Sequence, residues 1–252
     1  MALVTQKEPF QAVYPTGLVL PYGAVGWHRS AYDADIDNAL EQVCEDGGWV
    51  AHLAADDTIE CVSAAAGDIT QKLYVRGIDT NNKVRIESFA LNGVGIVVSA
   101  ARFRFVECAW LNLPCAGVVT VRRTTGPAII LNITIGQLQS YCVHHFNGEM
   151  TSYITGLYAG LGGTMADSVL TELRHYPDDL YSRALGTGYV KIVEPTLFYT
   201  NVANVCCANP PAMVFPQPLR IGKGSYFTFY AVGEAANNDM WAFMQGFDAY
   251  EE

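Results

Sequence analysis

Charge is scarce in this sequence. Only 16% of its 252 residues are Asp, Glu, Lys or Arg, where about a quarter is usual in soluble domains. The 15 basic residues are outnumbered by 25 acidic ones, giving a formal net charge of −10. There is no basic run or stripe. Phosphate binding rests on Lys and Arg that displace counterions, so no nucleic-acid partner is expected. Long apolar runs are missing as well. None reaches the ~18 residues that a bilayer span needs, and the opening MALVTQKEPF lacks the basic and apolar regions of a signal peptide. No membrane partner is expected, and the chain reads as one that folds in a reducing cytoplasm.

Chemistry-bearing motifs are absent too. The seven cysteines (Cys44, Cys61, Cys108, Cys115, Cys142, Cys206 and Cys207) are odd in number and form no C-x-x-C. They are expected to be free thiols acting as small apolar core residues. His144-His145 would point to opposite faces of a strand, so one metal could not easily take both. Asp33, Asp35 and Asp37 have the spacing of the first calcium ligands, but Asn38 stands at the glycine position and Cys44 at the closing glutamate. Gly222-Lys223-Gly224-Ser225 lacks the Ser or Thr that must follow a phosphate-loop lysine. Gly156, Gly160, Gly162 and Gly163 do not complete G-x-G-x-x-G, and there is no G-x-S-x-G. The expectation is no catalytic residue, no metal, no cofactor and no enzyme.

What is present is β structure. Half the residues are apolar, enough for a large core. From residue 58 short β-type runs alternate with turn residues at roughly 8–12-residue spacing. The clearest unit is Lys72–Leu91, with Asn81-Asn82 as a two-residue hairpin loop that sets Arg76 opposite Glu87 and Tyr74 opposite Phe89. Further strands are expected at 103–110, 118–122, 129–135, 140–146, 152–157, 169–174, 190–198, 218–221, 226–232 and 241–247. Asn147-Gly148 is a tight turn between two of them. One short helix is expected over 33–46, with Asp33 as cap, Ile36, Leu40 and Val43 on one face, and Gly47 as stop. The fold expected is all-β, an antiparallel β-sandwich of jelly-roll type. It would occupy residues 31–252, in one domain or two sub-sheets with a break near 124–128.

Residues 1–30 read as an extended N-terminal arm. Pro9, Pro15 and Pro21 and three glycines oppose regular structure, yet the segment is too apolar for a solvated tail. Phe10, Val13, Tyr14, Leu18, Val19, Leu20, Tyr22 and Trp27 are its interface candidates. The arm lies either on another chain or back on its own sandwich.

The strand pattern resembles a family. Ile59–Asp68, IECVSAAAGD, is similar to the i-x-v-S-s-s-a-a-D segment of small virion structural proteins of tailed phages. Leu73–Gly93 resembles the hairpin that follows there, with Gly77, Asp79, Glu87, Leu91, Asn92 and Gly93 at shared positions. Phe103–Val106 fits their next strand. Ile135–Gly162 matches through Ile135, Gly136, Gln139, Ser140, Gly148, Tyr153, Leu157, Tyr158, Ala159 and Gly162. The family's proline before Gly148 is absent, and its late P-e-K-T-D-I segment reads Pro218-Leu219-Arg220-Ile221-Gly222-Lys223 here. The resemblance spans roughly residues 45–235. It implies a non-enzymatic subunit of a virion, made in the host bacterial cytoplasm. The first expectation is a capsid decoration or cement protein, a homo-oligomer (a trimer by analogy) whose partners are its own copies, the major capsid protein and other virion proteins. A neck, tail or fibre component is the alternative. So is a carbohydrate- or receptor-binding module, for which Trp27, Trp49, Trp110, Trp241 and fourteen tyrosines supply aromatic platforms.

Overall fold

Alternation of apolar and polar residues carries through into strands. The computed structural model describes residues 24–45, 53, 55–126, 128–161, 168–176, 190–199, 212–233 and 238–250. Among these residues it is all-β, without helix. The strands are β1 (Val25–Ile36), β2 (Glu41–Gln42), β3 (Asp57–Ser63), β4 (Lys72–Asp79), β5 (Val84–Ala90), β6 (Val97–Leu111), β7 (Val119–Arg123) and β8 (Ile129–Ile133). They continue as β9 (Gln139–Ser140), β10 (His144–Phe146), β11 (Thr151–Leu161), β12 (Ser168–Tyr176), β13 (Val190–Tyr199), β14 (Ala212–Ile221), β15 (Tyr226–Gly233) and β16 (Asn238–Ala249). All pairings between them are antiparallel.

Three sheets result. One runs β1-β16-β11-β14. A second runs β10-β15-β12-β13, with β2 also on β15. These two share a core that includes Trp27, Ile36, Ile154, Leu173, Phe227, Phe229 and Met244. β15 is buried on both faces, so its sequence YFTFYAVG reads as a nearly continuous apolar and aromatic run rather than an alternating one. The third sheet, β5-β4-β6-β3-β7-β8 with β9 on β6, curls into a half-barrel around its own core, among them Ile59, Leu73, Val75, Phe89, Phe103, Val121 and Leu131. β6 makes the curl: its first half pairs with β3 and its second half with β4. Glu87 of β5 accepts the Ala100 and Ala101 amides across it, at 2.5 and 3.2 Å. A cluster of Ile78, Phe105, Phe146, Tyr176 and Tyr226 joins the half-barrel to the β15 sheet. Residues 124–126 lie in the turn between β7 and β8, and the chain leaves the curled sheet only after β9.

The helix expected over 33–46 is corrected. Asp33 and Ile36 continue β1, and Glu41–Gln42 form β2. Ile36 and Val43 are fully buried, but Leu40, which should share their helical face, is 41% exposed. Here strand pairing overrides a weak helical period in an Asp-rich segment. The Asp33 carboxylate accepts the Cys44 amide at 3.1 Å and the Asp35 amide at 3.3 Å, which stabilises the non-helical turn.

The hairpin Lys72–Leu91 forms, but its register is one residue from the expected one. Ile78 pairs with Val84, Arg76 with Ile86 and Tyr74 with Ser88. The cause is Asp79, whose carboxylate accepts the Asn81 and Lys83 amides at 2.8 and 3.1 Å while Asn82 takes φ +58°. A shift of one residue exchanges the faces. Tyr74 therefore stacks on Trp110 at 5.5 Å rather than lying opposite Phe89, and Arg76 reaches Glu107 rather than Glu87.

The expectation of seven free thiols is corrected as well. Cys44 and Cys142 form a disulfide across 98 residues of sequence, with Cα atoms 4.0 Å apart. β2 and β10 lie along the same edge of β15 and bring the two together. Cys61, Cys108 and Cys115 are free. Cys206 and Cys207 lie outside the described residues.

Candidate functional site

Of the interface candidates, Phe10, Val13, Tyr14, Leu18, Val19, Leu20 and Tyr22 lie outside the described residues. Trp27 is described, and it belongs to its own chain's core rather than to an arm. It sits in β1, 5% exposed, opposite Gly246 of β16. A Cβ on Gly246 would come within 2.6 Å of the Trp27 ring, so the glycine makes room for the indole. The ring stacks on His145 at 4.4 Å and packs against Phe227. Strand pairing from Val25 onward extends the sheet into residues 25–30, where the arm was expected to continue.

Trp27 is one end of a buried polar network where the three sheets meet. Its Nε1 donates to Asp248 Oδ1 at 2.8 Å, and Ser152 Oγ donates to the same oxygen. The other Asp248 oxygen is 2.9 Å from His145 Nε2. On its far side, His145 Nδ1 is 2.9 Å from Arg29 Nη2. The same Nδ1 is 3.3 Å from Glu107 Oε1, so the imidazole lies between the Asp248 and Glu107 carboxylates with Arg29 beside it. Arg29 also pairs with Glu107, and Arg76 Nε closes on the second Glu107 oxygen at 2.8 Å. Glu107 owes its position to a bulge: Gly77 pairs with Val106 and Arg76 with Cys108, leaving Glu107 as the extra residue, turned toward Arg29 and His145. It is 3% exposed. Burial opposes its ionisation, but the Arg29 and Arg76 guanidiniums outweigh burial and hold the carboxyl well below the usual range.

The adjacent histidines point to opposite faces, as a strand requires. His144 enters the aromatic junction, beside Phe105 and Tyr226. Its Nε2 lies 2.7 Å from the Glu107 carbonyl oxygen. Burial pushes its pKa down to about 4, so the ring is neutral and Nε2–H is the donor. Among the described residues no three His, Cys, Asp or Glu side chains are grouped to hold a metal. Ser, Asp and His do meet in the network, but Asp248 lies between Ser152 and His145. The imidazole therefore does not reach the hydroxyl as a general base must. The network acts as a latch between sheets.

A second polar centre holds one end of the half-barrel. Asp68, 2% exposed, accepts from Ser63 Oγ at 2.5 Å, the Ala116 amide at 3.0 Å and the Gly117 amide at 3.1 Å. The Ser63 hydroxyl foremost, with those amides, lowers its pKa. Ser63 and Asp68 fall in the IECVSAAAGD segment, so this centre was accessible to sequence reasoning. The latch was not: its residues are scattered from 27 to 248. Around the Asp68 centre and along β5, large apolar side chains face solvent. Val84 and Ile86 of β5 are 60% and 56% exposed, and Ile69 and Val94 exceed 60%. β5 ends its sheet, with no strand on its other side among the described residues. No family model, curated protein or solved structure matches this chain.

Proposed function

We propose that this chain is a non-enzymatic structural subunit of a tailed-phage particle, most simply a capsid decoration or cement protein, with its two packed sheets derived from a jelly-roll sandwich. The supporting observation is the edge of the half-barrel. β5 ends the sheet and turns Val84 and Ile86 to solvent. Soluble monomers guard such edges with lysine, proline or short strands, because an open apolar edge pairs with other chains. Here the exposed residues of β5 are Val84, Arg85, Ile86, Ser88 and Ala90, with Arg85 the single charge among them. An edge of this kind suits a protein whose work is to be covered by neighbours, and the low charge content agrees. In this reading the neighbours are copies of the chain, arranged as a trimer, and the major capsid protein.

The test is solution size by light scattering at micromolar concentration, with binding to particles lacking the protein. The native chain is expected to form a homo-oligomer and to bind at a copy number near that of the capsid protein. The double substitution Val84→Lys, Ile86→Lys is expected to abolish one or both. A count of a dozen or fewer per particle would place it in the neck or tail instead. A native chain that stays monomeric and ignores particles would refute the proposal.

A further inference from the structure

We infer a second function on the face away from the shared core: the outer side of the β1-β16-β11-β14 sheet carries a cleft that binds an uncharged sugar ring of a glycan. Cross-strand register places Tyr32, Trp241 and Gly160 in one row, Ser30, Phe243 and Tyr158 in the next, and His28, Gln245 and Gly156 in the third. Their sequence neighbours Ala31, Met240, Ala242 and Met244 belong to the core, and Ala31 and Ala242 also border the cleft floor. β16 thus alternates inward apolar residues with an outward aromatic row.

Glycine shapes the floor. A Cβ on Gly160 would approach the Trp241 ring to 2.4 Å, so only glycine lets the indole lie over the strand. Phe243 meets Tyr158 edge-on at 5.6 Å and stacks with His28 at 5.9 Å, which steadies the rings. Tyr32 is 48% exposed at the rim. The cleft is open to solvent and offers about 580 Å³, a size that accepts one or two pyranose rings.

Its chemistry selects the ligand. Among the described residues no Leu, Ile, Val or Met lines it, so these offer none of the aliphatic sockets that hold an apolar helix. Flat aromatic faces attract the weakly positive C–H face of a sugar through their negative π surface. Hydroxyl partners stand beside them: Ser30, the Gln245 amide and the Tyr158 hydroxyl, the last two 3.4 Å apart. Among the described residues Glu45 is the single carboxylate in the lining, and none of them is Lys or Arg. On a chain of net charge −10, that balance repels anionic ligands and leaves an uncharged polyhydroxyl ring as the fitting occupant. The inference does not depend on the assembly role of β5, which lies in a different sheet.

The test uses the full-length protein on an array of neutral and N-acetylated oligosaccharides, followed by saturation-transfer NMR with each hit. Saturable binding is expected. Trp241→Ala and, independently, Tyr32→Ala should weaken it about tenfold or more, the equivalent of roughly 1.4 kcal/mol. Trp110→Ala, on the half-barrel, should leave it unchanged. Tyr32 is half exposed, so its variant remains informative if Trp241→Ala impairs folding. The inference is overturned if no neutral sugar binds, if both cleft variants bind normally, or if they alter oligomeric size with no effect on sugar.

Discussion

Replacing Glu107 with alanine removes a carboxylate that faces Arg29, Arg76 and His145 together. The Arg29 side chain is 11% exposed and Glu107 itself 3%. Deleting one partner of a buried ion pair leaves the other charge desolvated, at a cost of about 3–5 kcal/mol. Arg76, 28% exposed, can turn partly to water and adds little. The expected loss for Glu107→Ala is therefore about 3–5 kcal/mol. Glu107→Gln keeps the volume and one acceptor, and should lose about 1.5–3 kcal/mol, the value of hydrogen bonds to a charged group. Urea unfolding followed by tryptophan fluorescence suits the measurement, because Trp27 lies in the same network. The pH dependence gives a second check. An unfolded Glu titrates near 4.3, and the folded carboxyl titrates well below its ordinary value. Its stabilisation is complete above the unfolded value and is lost as pH falls through the folded one. Glu107→Gln should flatten that acid limb. A Glu107→Ala loss below about 1 kcal/mol, ordinary for a surface position, would refute the idea that this carboxylate latches the sheets.

Asp68→Ala should destabilise by about 2–5 kcal/mol in the same assay, since it orphans the buried Gly117 amide and Ser63 hydroxyl and takes the acceptor from the part-buried Ala116 amide. Limited proteolysis should then cut first near residues 64–71; unchanged stability and cleavage would remove Asp68 from its place as organiser. His144 sits near pKa 4 when folded against about 6.5 unfolded, so folding excludes a proton between those values. Its contribution is complete above about pH 6.5 and falls toward pH 4 by up to about 1.4 kcal/mol per unit. His144→Gln, which can still donate to the Glu107 carbonyl, should shrink that slope, and an identical profile would count against a neutral buried imidazole. Peptide mapping without reductant should find Cys44 and Cys142 joined and resistant to alkylation. Reducing them should lower stability by as much as about 4–5 kcal/mol on loop-entropy grounds, and free alkylation of both would disprove the bond.

Strands after residue 58 were legible because their side chains alternate and their turns are written in Asn, Asp and Gly. The errors came where tertiary pairing outweighed local pattern. Ile36, Leu40 and Val43 mimic a helical stripe, yet only Ile36 and Val43 are buried, each from an extended segment. Asn81-Asn82 looked like the loop, but the preceding Asp79 side chain captured two amides and moved the register by one. The Ser63–Asp68 centre lies within five residues and could be seen as a motif. The latch could not, because it depends on a bulge that turns Glu107 and on six strands that meet only after folding. The aromatic row of the cleft was half visible: Trp241-Ala-Phe243-Met-Gln245 alternates in sequence, but its partners Tyr32 and Tyr158 come from strands 209 and 83 residues earlier.

The Cys44–Cys142 bond has a consequence for how such a chain could have arisen. Every strand of the half-barrel, β3 through β9, falls between these two cysteines. Departure and return are 4.0 Å apart, and the Glu45 amide donates to the Tyr141 carbonyl at the same crossing. Seen from the two packed sheets, the half-barrel is a guest lobe mounted on a single neck, and the disulfide is a clasp around that neck. Termini this close are what permit one domain to be inserted into another without disturbing the host. The outer strands of the lobe could be lengthened, shortened or exchanged while β4 and β6 keep Glu107 and Phe105 against the host sheets, so a lineage of such proteins could change what the lobe touches independently of what the host carries.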